Sequence, residues 1–112
     1  MTVSIEASEV VEVFRQALRG EIGVKLTGEQ SWADVQCGDV EYEFGDWRVT
    51  FFNDVMDLDY VDSVIAPDGR TAEYDDWFNR DTFDGGDPID LLETAEVNAL
   101  QSLLESVTPE AR

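Results

Sequence analysis

The stretch "DVEYEFGDWRVTFF", residues 39–52, decides the fold of this chain. Apolar and polar residues alternate on both sides of Gly45-Asp46, which is typical of two half-buried strands joined by a type II′ turn. A two-residue loop predicts three apolar pairs on one face: Phe44 with Trp47, Tyr42 with Val49 and Val40 with Phe51. It predicts three further pairs on the opposite face: Glu43 with Arg48, Glu41 with Thr50 and Asp39 with Phe52.

The segment before this hairpin, "WADVQCGD" at 32–39, is predicted to add a third strand through a tight turn. In that register Val35 and Cys37 lie on the apolar face. Asp34 lies on the polar face, opposite Glu43. Cys37 is then a small core residue, since the sequence shows no basic neighbour that would activate it as a nucleophile.

The remaining strands are predicted on both sides of this unit. Residues 21–31, "EIGVKLTGEQS", are compatible with a loop or with a brief strand. Downstream, "YVDSVIA" at 60–66 predicts a strand, and the Pro-Asp-Gly sequence at 67–69 is a strong turn signal. The segment "RTAEYDDW" at 70–77 is expected to return antiparallel to it.

Helical patterns occupy both ends of the chain. Apolar residues recur at helical spacing in "SIEASEVVEVFRQALRG", residues 4–20. Near the C-terminus, Asp87 is predicted to cap a helix with Pro88 at its first position, and a break near Glu93-Thr94 would divide that helix into two. The predicted class is therefore α+β: an N-terminal helix, an antiparallel meander of four to five strands and a C-terminal helix, intact or broken, packed on the sheet. The length of 112 residues suits a single domain, 1–112.

The composition is strongly acidic. The chain has 26 acidic and 7 basic residues and a formal net charge of −19, yet 43% of its residues are hydrophobic, which indicates a folded protein rather than a disordered tail. Such a charge favours association with basic partners and disfavours direct binding to nucleic acid or to an anionic membrane. The partner is therefore expected to be a basic protein.

Several classes of chemistry have no support in the sequence. One cysteine excludes a disulfide within the chain, and no histidine is present to act as a base or a ligand. The segment "DDWFNRDTFDGGD", 75–87, does not match the ligand spacing of an EF-hand, although a non-standard divalent site from Asp81, Asp84 and Asp87 stays open. No nucleophile elbow, phosphate-binding loop or zinc-ligand spacing occurs in the sequence. We expect no enzyme activity and no cofactor or metal.

The N-terminus resembles no signal peptide, so a cytoplasmic protein is expected.

The run "CGDVEYEFGDWRVTFFNDVMDLDYVDSVIAPDGR" and the later "DPIDLLET" resemble a family of short, uncharacterised bacterial proteins. The shared features are a Cys-Gly strand start, a Gly-Asp-Trp-Arg hairpin, a Pro-Asp-Gly-Arg turn and an Asp-Pro helix start. The resemblance extends from about residue 9 to about residue 104. Because these motifs are turns and caps, the resemblance implies a fold and no particular activity.

Charge itself is the leading candidate for function. Between residues 29 and 96 there are 20 acids and three arginines, so the charge is concentrated on the predicted sheet and its loops. Carboxylates along one face of a strand lie roughly 7 Å apart, and such rows can occupy a Lys/Arg-lined groove built for nucleic acid. Asp34 opposite Glu43 would be destabilising, which suggests that something outside the fold favours the pattern. The predicted partner-binding residues are Asp34, Asp39, Glu41, Glu43, Asp75, Asp76, Asp81 and Asp84, with Trp77 as an apolar anchor.

The predicted function is that of a small non-enzymatic inhibitor of a basic nucleic-acid-binding protein, acting as a monomer or a homodimer. In charge, size and lack of catalytic motifs the chain is similar to acidic anti-CRISPR proteins of bacteriophages and other mobile elements, which can imitate DNA. An immunity protein that neutralises a basic toxin nuclease is an alternative. So is a housekeeping protein whose acidity reflects solubility or a high-salt cytoplasm. Whether Trp77 faces the core or a partner stays open.

Overall fold

A computed structural model of the chain describes residues 5–79 and 84–108 and confirms the α+β class. Five antiparallel strands, adjacent in the order in which they occur along the chain, form a meander, with helices before, within and after it. The elements are α1 (Ala7–Leu18), β1 (Val24–Leu26), α2 (Trp32–Val35), β2 (Gly38–Phe44), β3 (Trp47–Asp54), β4 (Asp57–Ile65), β5 (Thr71–Glu73), a 3-10 turn (Tyr74–Asp76), β6 (Phe78–Asn79), β7 (Asp84–Gly85), a 3-10 helix (Pro88–Leu91) and α3 (Thr94–Ser106).

The β2–β3 hairpin has the predicted register in all six predicted pairs, from Phe44 opposite Trp47 to Asp39 opposite Phe52. Gly45 has a φ of +60° and Asp46 does not have a positive φ, as a type II′ turn requires. The inward side chains of both strands are buried, because alternation with a period of two keeps them on one face. The prediction from this stretch is therefore confirmed.

The predicted strand at 32–39 is wrong. Ser31 and Asp34 form a capping box, in which Ser31 Oγ accepts a hydrogen bond from Asp34 N (3.3 Å) and Asp34 Oδ2 accepts one from Ser31 N (3.0 Å). This reciprocal pair stabilises the first turn of a helix, and Trp32 is buried beneath it. The chain then reverses at Gln36 (φ +60°), which leaves Cys37 exposed rather than in the core.

The place of that predicted strand beside β2 is taken by β1. Val24, Lys25 and Leu26 pair with Phe44, Glu43 and Tyr42, so part of the undecided stretch at 21–31 forms a brief strand. The residue opposite Glu43 on this side is therefore Lys25, not Asp34. The expected like-charge pair is replaced by a pair of opposite charge.

Strand β4 carries two irregularities in its pairing with β3. Between Ser63, opposite Thr50, and Val61, opposite Phe51, one extra residue is inserted, Asp62. A second extra residue, Asp59, follows Leu58. As a result the buried residues of β4, Leu58, Val61 and Val64, are spaced by three instead of two.

One face of the sheet is covered by the helices. Phe14 of α1 packs against Phe44 and Phe51, with ring centroids 5.4 and 5.5 Å apart. Helix α3 buries Leu100 and Leu104 in the same apolar cluster, where Tyr42 Oη donates a hydrogen bond to the Leu104 carbonyl (2.9 Å). No helix in the described part of the chain is long and apolar enough to cross a membrane.

The C-terminal region contains the predicted break. Asp87 caps a 3-10 helix, accepting from Ile89 N (2.9 Å), and Pro88 occupies its first turn. The backbone is extended at Leu92 and Glu93, and α3 begins at Thr94 with a capping box between Glu93 and Glu96. The two helices therefore start from separate local signals.

Candidate functional site

The face of the sheet opposite α1 and α3 presents polar, charged and aromatic side chains. At one end of this face a group of seven residues from β2, β3, β4, β5 and the 3-10 turn combines carboxylates with aromatic rings. We call it the acidic–aromatic patch: Asp39, Glu41, Phe52, Tyr60, Asp62, Glu73 and Tyr74.

Three aromatic rings run across the centre of the patch. Phe52 and Tyr60 are cross-strand partners whose rings stack, with centroids 5.1 Å apart and planes at 18°. Tyr60 also contacts Tyr74, at 4.8 Å and 52°. Phe52 and Tyr60 are half-buried, whereas Tyr74 is 37% exposed. A row of this kind offers ring faces and edges to a partner.

Carboxylates surround these rings, and among the described residues the arginines form ion pairs with acids other than these. Burial raises the pKa of Asp62, and the charges of Asp39 and Glu73 raise it further. The pKa of Tyr60 is raised by burial and then by the charges of Asp62 and Asp39. Both shifts have the same two causes, burial first and then repulsion between like charges. The carboxylates of the patch would therefore attract a positively charged ligand.

An open cavity of about 400 Å³ lies within the patch. Its described lining consists of two tyrosines and two carboxylates, Tyr60, Tyr74, Asp62 and Glu73. Aromatic walls and acidic groups together suit a cationic side chain better than an anion or an aliphatic chain.

The other end of the same face is electrically balanced. Arg48 lies 3.8 Å from Glu43 on the neighbouring strand, and Lys25 is the cross-strand partner of Glu43 on the other side. Glu41, at the edge of the patch, accepts a hydrogen bond from the neutral hydroxyl Thr27 Oγ1 (2.7 Å), which does not compensate its charge. The unbalanced negative charge of the face is therefore at the acidic–aromatic patch.

The other described arginines form ion pairs away from the patch. Arg15 binds Glu96 (2.9 Å), and Arg70 binds Glu9 (3.1 Å) and Asp68. Arg19 pairs with acids at the end of α1. The Arg15–Glu96 pair joins α1 to α3, and the Arg70–Glu9 pair joins α1 to the turn before β5, whereas the pairs of Arg19 and the Arg70–Asp68 pair are local. None of these pairs involves a carboxylate of the patch.

Three of the predicted site residues lie on one face, as the hairpin register requires: Asp39, Glu41 and Glu43. Asp34 does not join them, because its carboxylate caps α2; the backbone N–H and the hydroxyl of Ser31 lower its pKa. The prediction that Asp34 shares the sheet face is therefore wrong.

The aspartates of segment 75–87 that were predicted to bind a partner do not form one group in the described structure. Asp76 Oδ2 accepts from Glu73 N (2.7 Å) and so caps the 3-10 turn, while its side chain stays exposed. The backbone places Asp75 in that turn and Asp84 in β7, but their side chains lie outside the described part of the structure. Asp81 lies outside the described residues altogether.

Trp77 belongs to the core. Its side chain is only 8% exposed, and its Nε1 donates a hydrogen bond to the carbonyl of Ile5 at 2.9 Å. The open question about this residue is thereby answered. The aromatic residues on the acidic surface are Phe52, Tyr60 and Tyr74 instead.

Four residues of the patch were missed by sequence reasoning: Tyr60, Asp62, Glu73 and Tyr74. The two inserted aspartates interrupt the alternation of inward and outward side chains along β4. A period of two therefore does not predict which residues of β4 lie on which face of the sheet. The signal that was available is the spacing of three between Leu58, Val61 and Val64, which is unusual for a regular strand.

Fold and surface together define a small α+β protein whose sheet packs against α1 and α3 on one face and carries the acidic–aromatic patch on the other. The chain belongs to the family DUF7693, described as a domain of unknown function, whose model matches residues 4–106. The comparisons with curated proteins and with solved structures found no match to this chain. In residues 5–79 and 84–108, no group of three or more Cys, Asp or Glu side chains is placed to hold a metal ion.

Proposed function

We propose that this chain is a small non-enzymatic inhibitor that binds a basic nucleic-acid-binding protein through the acidic–aromatic patch. The observation that supports the proposal most directly is the combination, on the sheet face opposite α1 and α3, of clustered carboxylates with a row of three aromatic rings. The carboxylates attract a positive surface and the rings supply contact area once it docks.

Phosphate mimicry is the proposed mode of action, as in the acidic anti-CRISPR proteins that the composition resembles. Carboxylates on alternate residues of β2 lie roughly 7 Å apart, and neighbouring strands lie about 4.8 Å apart. A rigid sheet can therefore present rows of negative charge to a groove lined with Lys and Arg. Long-range attraction would raise the association rate, and the inhibitor would exclude nucleic acid by occupying its site.

The aromatic row favours this function over acidity for solubility alone. A solvated acidic surface needs no exposed tyrosine, and clustering Asp39, Asp62 and Glu73 around half-buried rings works against stability. An immunity protein against a basic toxin nuclease would use the same patch. The identity of the captured partner distinguishes the two cases.

The test is capture at about 0.1 M salt. The protein is immobilised and exposed to a bacterial lysate, and a captured basic protein is purified and titrated for stoichiometry. We expect a defined complex that weakens as salt rises and that duplex DNA displaces by competition. Reversing three patch charges, D39K/E41K/E73K, should abolish it.

A matched control keeps the total charge the same. The variant D46K/D57K/E105K reverses three exposed acids elsewhere on the surface and should retain the complex. Recovery of no basic protein, or equal losses in the two triple variants, would overturn the proposed function.

A further inference from the structure

We propose that Asp87 is a positioning residue for the acidic–aromatic patch, and that a proton taken up by its carboxylate loosens its hold on β4 beside Tyr60 and Asp62. The inference rests on the proposed function and deepens it, because the patch is the surface proposed to bind the partner. It follows from the hydrogen bonds that one buried carboxylate accepts from the backbones of two elements.

Asp87 supplies an acceptor where β4 extends beyond its neighbouring strand. Strand β5 pairs with residues 63–65 of β4, and Val61 lies beyond that pairing. The backbone N–H of Val61 donates instead to the carboxylate of Asp87, which is 3% exposed. Because a buried N–H without an acceptor is costly, this contact stabilises the irregular part of β4.

Val61 lies between two residues of the patch. Tyr60 precedes it, and Asp62, the extra residue in the pairing with β3, follows it. The ring of Tyr60 stacks on that of Phe52 at 5.1 Å and contacts that of Tyr74 at 4.8 Å. The position of the Val61 backbone therefore affects the central ring of the patch and one of its carboxylates.

The geometry of the carboxylate makes this contact sensitive to a proton. Val61 N lies 3.0 Å from Oδ1 and 2.9 Å from Oδ2 of Asp87, so its N–H faces both oxygens. Oδ1 also accepts from Ile89 N (2.9 Å), which leaves Oδ2 as the oxygen with more room for a proton. A protonated Oδ2 is a donor, and a donor that faces the Val61 N–H repels it. The bond that Oδ1 keeps is weaker, because a neutral acceptor binds less strongly than a charged one.

Acidic groups surround Asp87 on the elements packed against it. Burial raises its pKa to about 7, and the charges of Asp90 on the 3-10 helix and Asp59 on β4 raise it further. Glu6, which precedes α1, and Asp76 line the adjoining groove together with Asp90. Both oxygens of Asp87 already face backbone N–H donors, so the carboxylate is not free to bind a cation.

NMR of the isotopically labelled free protein tests the inference from about pH 5.5 to about pH 8.5, at about 0.1 M salt. The side-chain carboxyl carbon of Asp87, the amide of Val61 and the ring signals of Phe52, Tyr60 and Tyr74 are followed. We expect all of them to shift with one midpoint at about pH 7. The chain has no histidine, so no imidazole titrates in this range.

Two variants assign the midpoint. In D87N an amide N–H₂ group replaces one oxygen and imitates the protonated acid, so the midpoint should vanish and the rings should resemble those of the wild type at low pH. D90N is the matched control, because it removes a neighbouring acid and keeps Asp87. Its midpoint should persist and lie at a lower pH, since the charge of Asp90 raises the pKa of Asp87. Far-UV circular dichroism verifies that each variant is folded.

Acetylated hexa-lysine is the cationic probe for the effect on binding. The wild type should bind it about threefold more tightly at pH 8 than at pH 6, because ionised Asp87 holds the patch in place and adds negative charge. In D87N the ratio of the two affinities should be about one. D90N should behave as the wild type does.

The outcomes distinguish this inference from the proposed function. A carboxyl signal of Asp87 that does not titrate in this range, rings that do not follow it, or rings that titrate equally in D87N would each overturn the positioning role. Equal pH dependence of hexa-lysine binding in the wild type and D87N overturns the control of binding. If D87N does not fold, the wild type and D90N decide the question. Absence of hexa-lysine binding at both pH values counts against the proposed function, and the ring titration still decides the role of Asp87.

Discussion

Asp87 is a buried acid that connects two parts of the fold. Its side chain is 3% exposed, and its carboxylate accepts hydrogen bonds from Val61 N (3.0 and 2.9 Å) and Ile89 N (2.9 Å). It thereby binds the irregular strand β4 to the 3-10 helix. Burial raises the pKa of Asp87 to about 7, although the two backbone N–H groups act in the opposite direction.

This shift predicts a pH dependence of stability. The folded pKa lies above the value of about 3.9 for an unfolded aspartate, so the folded state binds more protons between those two values. The contribution of protonated Asp87 to the stability of the folded state is fully present below about pH 4 and is lost as the pH rises through about 7. Relative to the variant D87N, the wild-type free energy of unfolding should fall across this window by on the order of 2 to 4 kcal/mol.

Urea unfolding at half-unit pH intervals measures the effect. The asparagine side chain in D87N keeps one acceptor oxygen and does not titrate, and the remaining 25 acids contribute similarly to both proteins. The difference between the two curves therefore reports on Asp87. A difference that stays constant from pH 4 to 7 would contradict the prediction.

At the scale of elements, the hairpin was predictable because its determinants are local. Gly45-Asp46 and the alternation of 39–52 specify turn and register within 14 residues. The strand β4 was less predictable, since its inserted residues Asp59 and Asp62 are recognised only by their partners on β3. Helix α2 was missed although its Ser-x-x-Asp capping signal is present, because the alternating pattern downstream was extended too far.

The hairpin turn predicts a test with an internal control. Gly45 has a φ of +60°, and an added Cβ would meet Ile22 at an ordinary distance of 3.6 Å, so G45A should be destabilised by backbone strain alone. We expect a loss of about 1 to 2 kcal/mol. G28A is the control, because its Cβ would enter open space and its φ is not in the strained range.

Chemical denaturation of the two variants provides the measurement. G28A should unfold within about 0.5 kcal/mol of the wild type, or slightly later, since alanine reduces the entropy of the unfolded chain. Equal midpoints for G45A and wild type would show that the hairpin uses a different turn.

At the scale of the whole molecule, a net charge of −19 opposes compaction. The patch is expected to concentrate part of that cost, because the charges of Asp39 and Glu73 add to the effect of burial in raising the pKa of Asp62. Neutralising it with D39N/D62N/E73Q should therefore stabilise the free protein by about 0.5 to 1 kcal/mol at low salt. The gain should shrink by 0.5 M NaCl, because salt screens exposed charges.

The control for this prediction is D46N/D57N/E105Q, which removes the same charge from dispersed exposed positions. Thermal unfolding of the wild type and both variants at 0.02, 0.1 and 0.5 M NaCl compares them, and the patch variant should gain more. Equal gains would mean that only total charge matters. A wild-type fold that forms only in molar salt would instead favour a halophilic origin of the acidity.

The sequence by itself determined the α+β class, the register of the central hairpin, the first helix and the cap and break near the C-terminus. These features depend on residues within one or two turns of each other, or on a strict period, so their signals are local. It also indicated that an acidic face would form on β2.

Only the tertiary structure decided which strand lies beside β2, where Trp77 points and which residues complete the acidic surface. Trp77 is buried, and it donates a hydrogen bond to the carbonyl of Ile5, 72 residues away in the sequence. Strand β1 pairs with β2 although α2 lies between them in the sequence. The patch likewise joins side chains from five elements. Such choices are made by the competition for burial among distant segments, and no local pattern of residues contains that information.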